Sequence, residues 1–137
     1  MIQPKLGHLQ FNVHARNLPF YRDLFAFFGW PTLEDDGMMF GTGKDIFNSF
    51  WFFGGAKDVE NDYDGPGMNH LGLLVQTQDE VDQMVTYLRK RGIEPLFDTP
   101  RHRPEFAYDS EHTYYQVMFA SPDGILFEVV YMGRLGK

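Results

Sequence analysis

Three side chains in this sequence have the chemistry of a metal ligand set: His8, His70 and Glu128. Each histidine opens an apolar run that ends in valine, Gly7-His8-Leu9-Gln10-Phe11-Asn12-Val13 and Asn69-His70-Leu71-Gly72-Leu73-Leu74-Val75. Glu128 lies between Phe127 and Val129, where an isolated carboxylate is costly unless a cation compensates it. Two imidazoles and one carboxylate on a divalent ion leave positions open to water or substrate, as a catalytic site requires. A plainer reading stands beside this one: Glu128 accepts hydrogen bonds from His8 or His70, and the protein holds a ligand without metal. The chain has no Cys, so a thiolate zinc site, a disulfide framework and a cysteine nucleophile are all excluded.

The elements that must position these residues come in two similar sets. In the first run Leu9, Phe11 and Val13 share one face and His8, Gln10 and Asn12 the other, the period of a strand with one apolar side. Asn17 and the early Pro19 predict a helix start, Tyr21, Leu24, Phe25 and Phe28 fall at helical spacing, and Gly29 stops it. Extended pieces are expected at 32–34 and 38–41 about the turn Asp35-Asp36-Gly37, and at 49–53, Ser-Phe-Trp-Phe-Phe. The polar, Gly/Pro-rich stretch 55–67 reads as a connection.

The second set begins at His70, which has the same facing as His8. Thr77 and Glu80 form a capping-box pattern ahead of the stripe Val81, Met84, Val85 and Leu88, and Gly92 follows a basic last turn. Strands are expected at 94–97, 114–119 and 125–131, with Ser121-Pro122-Asp123-Gly124 as the last hairpin turn and 98–113 as a long polar loop. Each set reads β-α-β-β-β.

These paired units, the openings Gly7-His8-Leu9 and Asn69-His70-Leu71, the segment Phe20-Tyr21-Arg22-Asp23-Leu24-Phe25 and the ending Ser121-Pro122-Asp123-Gly124-Ile125-Leu126-Phe127-Glu128 resemble the vicinal oxygen chelate superfamily. That superfamily includes glyoxalase I, extradiol dioxygenases, methylmalonyl-CoA epimerase and the fosfomycin and bleomycin resistance proteins. The resemblance implies an α+β fold in which two βαβββ repeats, 5–55 and 67–133 of a single domain 1–137, form a curved mixed sheet with a central cleft and helices outside. It implies a divalent metal, Fe, Zn, Mn or Ni, on His8, His70 and Glu128, with Glu128 also catalytic as a proton carrier. The fourth ligand position of glyoxalase I falls within Phe50-Trp51-Phe52, none of which binds metal. The tyrosine that dioxygenases place ten residues before the carboxylate falls on Met118. The reaction therefore stays open among lyase, isomerase and ring-cleaving dioxygenase chemistry on a small substrate with vicinal oxygens. The alternative is a metal-free binding or drug-sequestering protein of the bleomycin-resistance type.

Substrate contacts are expected from Trp51, Arg101, Arg103, Tyr115 and Met118, with the arginines suited to paired hydrogen bonds with an anionic group. With 19 acidic against 12 basic residues, the net charge of -7 leaves no general basic surface for nucleic acid. No stretch approaches a membrane span and the N-terminus lacks a leader pattern, so a soluble, cytoplasmic protein is expected. The resemblance further implies a homodimer.

Overall fold

The computed structural model describes residues 1–136; Lys137, the last residue of the expected 1–137 domain, lies outside the described residues. The chain divides into two compact units, Met1–Glu60 and Asn61–Lys137. Each is a four-stranded mixed sheet with one α-helix, so the chain has the two-repeat βαβββ α+β fold expected of it. No helix among the described residues is long and apolar enough to cross a membrane.

In the first unit, β1 (His8–Asn12) leads through a short 3-10 turn (Ala15–Asn17) into α1 (Leu18–Phe27), followed by β2 (Thr32–Asp35), β3 (Met39–Asp45) and β4 (Asn48–Phe53). The order is β1-β4-β3-β2, with β1 parallel to β4 and the other pairs antiparallel. A parallel pair needs a crossover, and α1 is part of it. Its buried residues, Leu18, Tyr21, Leu24 and Phe25, recur at helical spacing. They meet an aromatic core centred on Phe52, whose ring stacks on Tyr21 at 4.4 Å and on Phe11 at 5.1 Å. The expected turn at 35–37 forms as read: Asp36 Oδ1 accepts from the backbone N–H of Met38 and Met39, and Gly37 takes φ 87°.

In the second unit, β5 (His70–Val75) leads into α2 (Gln78–Lys90), then β6 (Leu96–His102), β7 (Tyr115–Ala120) and β8 (Leu126–Tyr131), in the order β5-β8-β7-β6. Thr77 and Glu80 close the capping box in both directions, an N-terminal lock worth about 1 kcal/mol. Val81, Met84, Val85 and Leu88 are buried, as are Val117, Phe119, Phe127 and Val129 of the sheet it packs on.

The second unit departs from the sequence reading in one place. The stretch 98–113 is not one long loop, because β6 runs on to His102, with Arg101 opposite Gln116 and His102 opposite Tyr115. Pro100 reads as a strand breaker, but β6 is the edge strand, where a missing N–H removes no ladder bond from a further neighbour. An irregularity at Phe97 and Asp98, both with positive φ, also breaks the alternation that would have revealed the strand. Thr99 repairs the gap: its hydroxyl donates to the Leu96 carbonyl and accepts from the Met118 N–H.

Candidate functional site

Glu128 of β8 is 4% exposed, with Gly72 of β5 and Met118 of β7 beside it in register. Tyr114 donates its hydroxyl to both carboxylate oxygens, at 2.9 Å to Oε1 and 3.1 Å to Oε2. Gln116 Nε2 donates to Oε2. Burial, and then the bond to Glu128, push the Tyr114 phenol up to about 12, so it is a donor throughout the neutral range. A Cβ on residue 72 would lie 3.1 Å from Oε1, so glycine keeps open the space on that side.

His70 shares this face and brings Nε2 to 3.8 Å from Glu128 Oε1, beyond hydrogen-bond range. Asn69 decides the tautomer. Its Nδ2 donates to the Tyr63 carbonyl at 2.9 Å and to Asp64 Oδ1 at 3.1 Å, which turns its Oδ1 toward His70 Nδ1 at 2.8 Å. An amide oxygen only accepts, so Nδ1 carries the hydrogen and the neutral ring keeps its lone pair on Nε2. Nε2 and a carboxylate oxygen 3.8 Å apart leave room for a cation to be shared between them. Ligand bonds of about 2.0–2.2 Å to each would span such a gap. A ring N–H held by a carbonyl is also how ligating histidines are oriented. The donor set therefore fits a divalent ion.

The other residues singled out in the sequence fall in several places. His8 belongs to the first unit, exposed, with Ser49 beside it in register. Trp51 lies two residues further along β4, between Gln10 and Gly41, and so holds in its unit the place Glu128 holds in the other. A Cβ at Gly41 would come within 2.3 Å of the indole, and the indole N–H donates to Ser49 Oγ. Arg103 donates Nη1 to Gln116 Oε1 at 3.2 Å and pairs with Glu105. Arg101 is exposed on the same strand face as Gln116. Met118 adjoins Glu128, whereas Tyr115 points to the helix side, donating to Asp82 of α2 at 2.6 Å. Among the described residues no group of three or more His, Cys, Asp or Glu side chains gathers at metal-binding spacing; the second unit supplies the His70–Glu128 pair. Sequence reasoning missed Asn69, Tyr114 and Gln116 as partners of that pair. Strand alternation back from Glu128 along the hairpin to Gln116 and Tyr114 could have found the last two.

Tyr115 gives a test of the described hydrogen bonds away from the site. Burial first, and then its bond to Asp82, raise the phenol to about 12. A raised folded-state value stabilises fully below the unfolded phenol value near pH 10, and the stabilisation disappears as pH rises through about 12. The stability difference between wild type and Tyr115→Phe should stay constant up to about pH 10 and shrink above it. Ultraviolet titration should show the variant lacking one late phenolate. A difference that is flat across the alkaline range would contradict the Tyr115–Asp82 bond.

A family model described as the Glyoxalase/Bleomycin resistance protein/Dioxygenase superfamily matches residues 5–129. The chain belongs to this superfamily. Nothing among curated proteins matches it. Solved structures of the superfamily fold do. A candidate glyoxalase from Bacillus halodurans is 22% identical, with 94% of this chain and 96% of that chain covered and a TM-score of 0.76. The fosfomycin resistance protein FosX from Listeria monocytogenes, in complex with Mn(II) and sulfate, is 20% identical over 98% of this chain and 94% of that one, TM-score 0.68. A glyoxalase/bleomycin resistance protein/dioxygenase domain from Frankia is 18% identical over 100% and 96%, TM-score 0.63.

Proposed function

We propose that this superfamily member is a metal-dependent enzyme acting on a small substrate with two neighbouring oxygens, its ion held by His70 and Glu128. The observation that carries the reading is the facing of the His70 Nε2 lone pair, fixed by Asn69, and Glu128 Oε1 across 3.8 Å. FosX, similar in fold, is complexed with Mn(II), and the Mn(II) complex of a FosX mutant also contains 1S,2S-dihydroxypropylphosphonic acid, a vicinal diol. Fe, Zn and Ni suit the same imidazole and carboxylate donors.

A bound divalent ion supplies Lewis-acid polarisation of two adjacent substrate oxygens. The chain's own groups do the rest. Asn69 holds His70 in the ligating tautomer, and Tyr114 and Gln116 hold the Glu128 carboxylate. For isomerase or lyase chemistry, Glu128 would be the carboxylate that moves the proton. Met118 gives an apolar wall beside it, and Arg101 and Arg103 supply contacts to the remainder of the substrate. Tyr115, directed to α2, takes a structural part in this scheme.

Titration of the purified, chelator-treated protein with Mn(II), Zn(II), Ni(II) and anaerobic Fe(II) tests the proposal. One equivalent per chain should bind, and His70→Ala should weaken the tightest of these by at least about a hundredfold, more than loss of an outer-shell partner costs. A protein that takes up none of the four, or whose His70→Ala variant binds as wild type does, is not this enzyme.

A further inference from the structure

The Glu128 carboxylate is held by neutral donors in a defined orientation, and that orientation determines how it meets an ion. Gln116 is 2% exposed, and its amide has one possible sense. Its Oε1 accepts from the Arg103 guanidinium, which only donates, so its Nε2 is the group that faces Glu128 Oε2. Tyr114 spans both oxygens, at 2.9 and 3.1 Å. Oε2 therefore has a donor of its own in Gln116, while Oε1 has only the shared Tyr114 hydroxyl and faces the space left by Gly72 and the Nε2 of His70.

The holders are themselves held. Arg103 is fixed by Glu105 and lies over the Phe106 ring, 5.0 Å from its centroid. Phe106 in turn meets the Tyr114 ring edge-on at 5.5 Å. Arg103, Phe106, Tyr114 and Gln116 thus form one contiguous packed and hydrogen-bonded support running from the segment after β6 to the carboxylate.

We infer that Gln116 and Tyr114 are positioning residues, Gln116 tying up Glu128 Oε2 and Tyr114 bridging the two oxygens, that fix the carboxylate with Oε1 turned toward His70, so that it binds the ion through one oxygen. The inference rests on the metal reading above. With both donors in place, Glu128 cannot rotate to offer two oxygens without breaking the Gln116 bond and leaving a buried amide N–H unpaired. Coordination positions that a two-oxygen carboxylate would occupy are thereby kept for substrate.

Gln116→Met keeps the side-chain length and removes the donor; Tyr114→Phe keeps the ring against Phe106 and removes the hydroxyl. Each should weaken Mn(II) binding by about tenfold or more, the usual effect of losing an outer-shell partner. The visible d–d absorption of the Co(II) form should report the change in ligation. Its intensity should fall in Gln116→Met as the released carboxylate adds its second oxygen and the coordination number rises. A packing role alone would leave that spectrum unmoved. Should Gln116→Met fold poorly, Tyr114→Phe, at a half-buried position, carries the same two measurements. Variants with wild-type Mn(II) affinity and an unchanged Co(II) spectrum overturn the inference while the metal reading survives. A wild-type protein that binds neither ion overturns both.

Discussion

Phe52→Ala should destabilise the protein by about 3–5 kcal/mol, the range for deleting a fully enclosed aromatic ring. Phe52 has no exposed surface and is the point where the first unit's elements converge. Its ring meets Phe11 of β1, Tyr21 and Phe25 of α1 and Phe40 of β3, with centroid separations between 4.4 and 6.1 Å. Removing it takes away apolar burial and also leaves four rings without a common neighbour. Rings held by a sheet on one side and a helix on the other cannot collapse fully into the space, so the cavity term adds to the transfer term. Urea unfolding should show a midpoint lowered by about 2 M, with the slope unchanged if the transition stays cooperative. A cost under about 1 kcal/mol would mean that the ring cluster is not packed as described.

The fold was legible where the period was clean. The Thr77 to Arg91 stretch carries its start signal, its apolar stripe and its basic end in one window, and α2 forms there with the capping box closed. Strands β4 and β8 were visible as short apolar runs bounded by turn residues, and the duplication was visible because both units open with His-Leu and continue into a helix. Strand β6 was hidden. Pro100 and the positive-φ pair Phe97 and Asp98 look like a loop in sequence, and it is the antiparallel partner β7, far along the chain, that makes them part of a sheet.

The candidate site was half legible. Glu128 drew attention because a carboxylate among apolar residues needs a reason, and His70 because it repeats His8. Their supporting groups gave no such signal. Asn69 looks like an ordinary polar residue before a strand; its meaning lies in the bonds that its amide makes back to Tyr63 and Asp64, which fix the His70 ring. Gln116 reads as one more polar residue in a hairpin until the register sets its face beside that of Glu128. The contrast between Tyr114 and Tyr115 is likewise a matter of facing: adjacent residues of an extended chain point to opposite sides, one to Glu128 and the other to α2. The vacant fourth position was narrowed to three residues in sequence, and the register selects Trp51, the repeat equivalent of Glu128.

Glu128→Gln should separate binding from folding more cleanly than any other single change. The substituted amide keeps one oxygen, which can accept from Gln116 Nε2 as the carboxylate does. Its new NH2 group takes the place of Oε1, where the Tyr114 oxygen can accept from it while the Tyr114 O–H donates to the retained amide oxygen, and its second hydrogen faces the space beside Gly72. The Gln116 and Tyr114 donors thus retain a partner, and a buried negative charge has been removed, so unfolding free energy should change by under about 1 kcal/mol. Metal binding should behave in the opposite way. An amide oxygen carries no net charge and is a poorer partner for a divalent cation than a carboxylate. Mn(II) affinity should therefore fall by at least about a hundredfold, beyond the range seen for outer-shell changes. Glu128→Leu is the contrasting variant: it also loses the ion, but it leaves the Gln116 amide and Tyr114 hydroxyl facing a methyl group, at a cost of about 1–3 kcal/mol for each buried donor left unpaired. Calorimetric titration with Mn(II), run beside thermal unfolding of both variants, reads the two effects apart. Retention of wild-type Mn(II) affinity by Glu128→Gln would remove Glu128 from the ligand set. Equal stability of the Gln and Leu variants would show that Tyr114 and Gln116 do not depend on it.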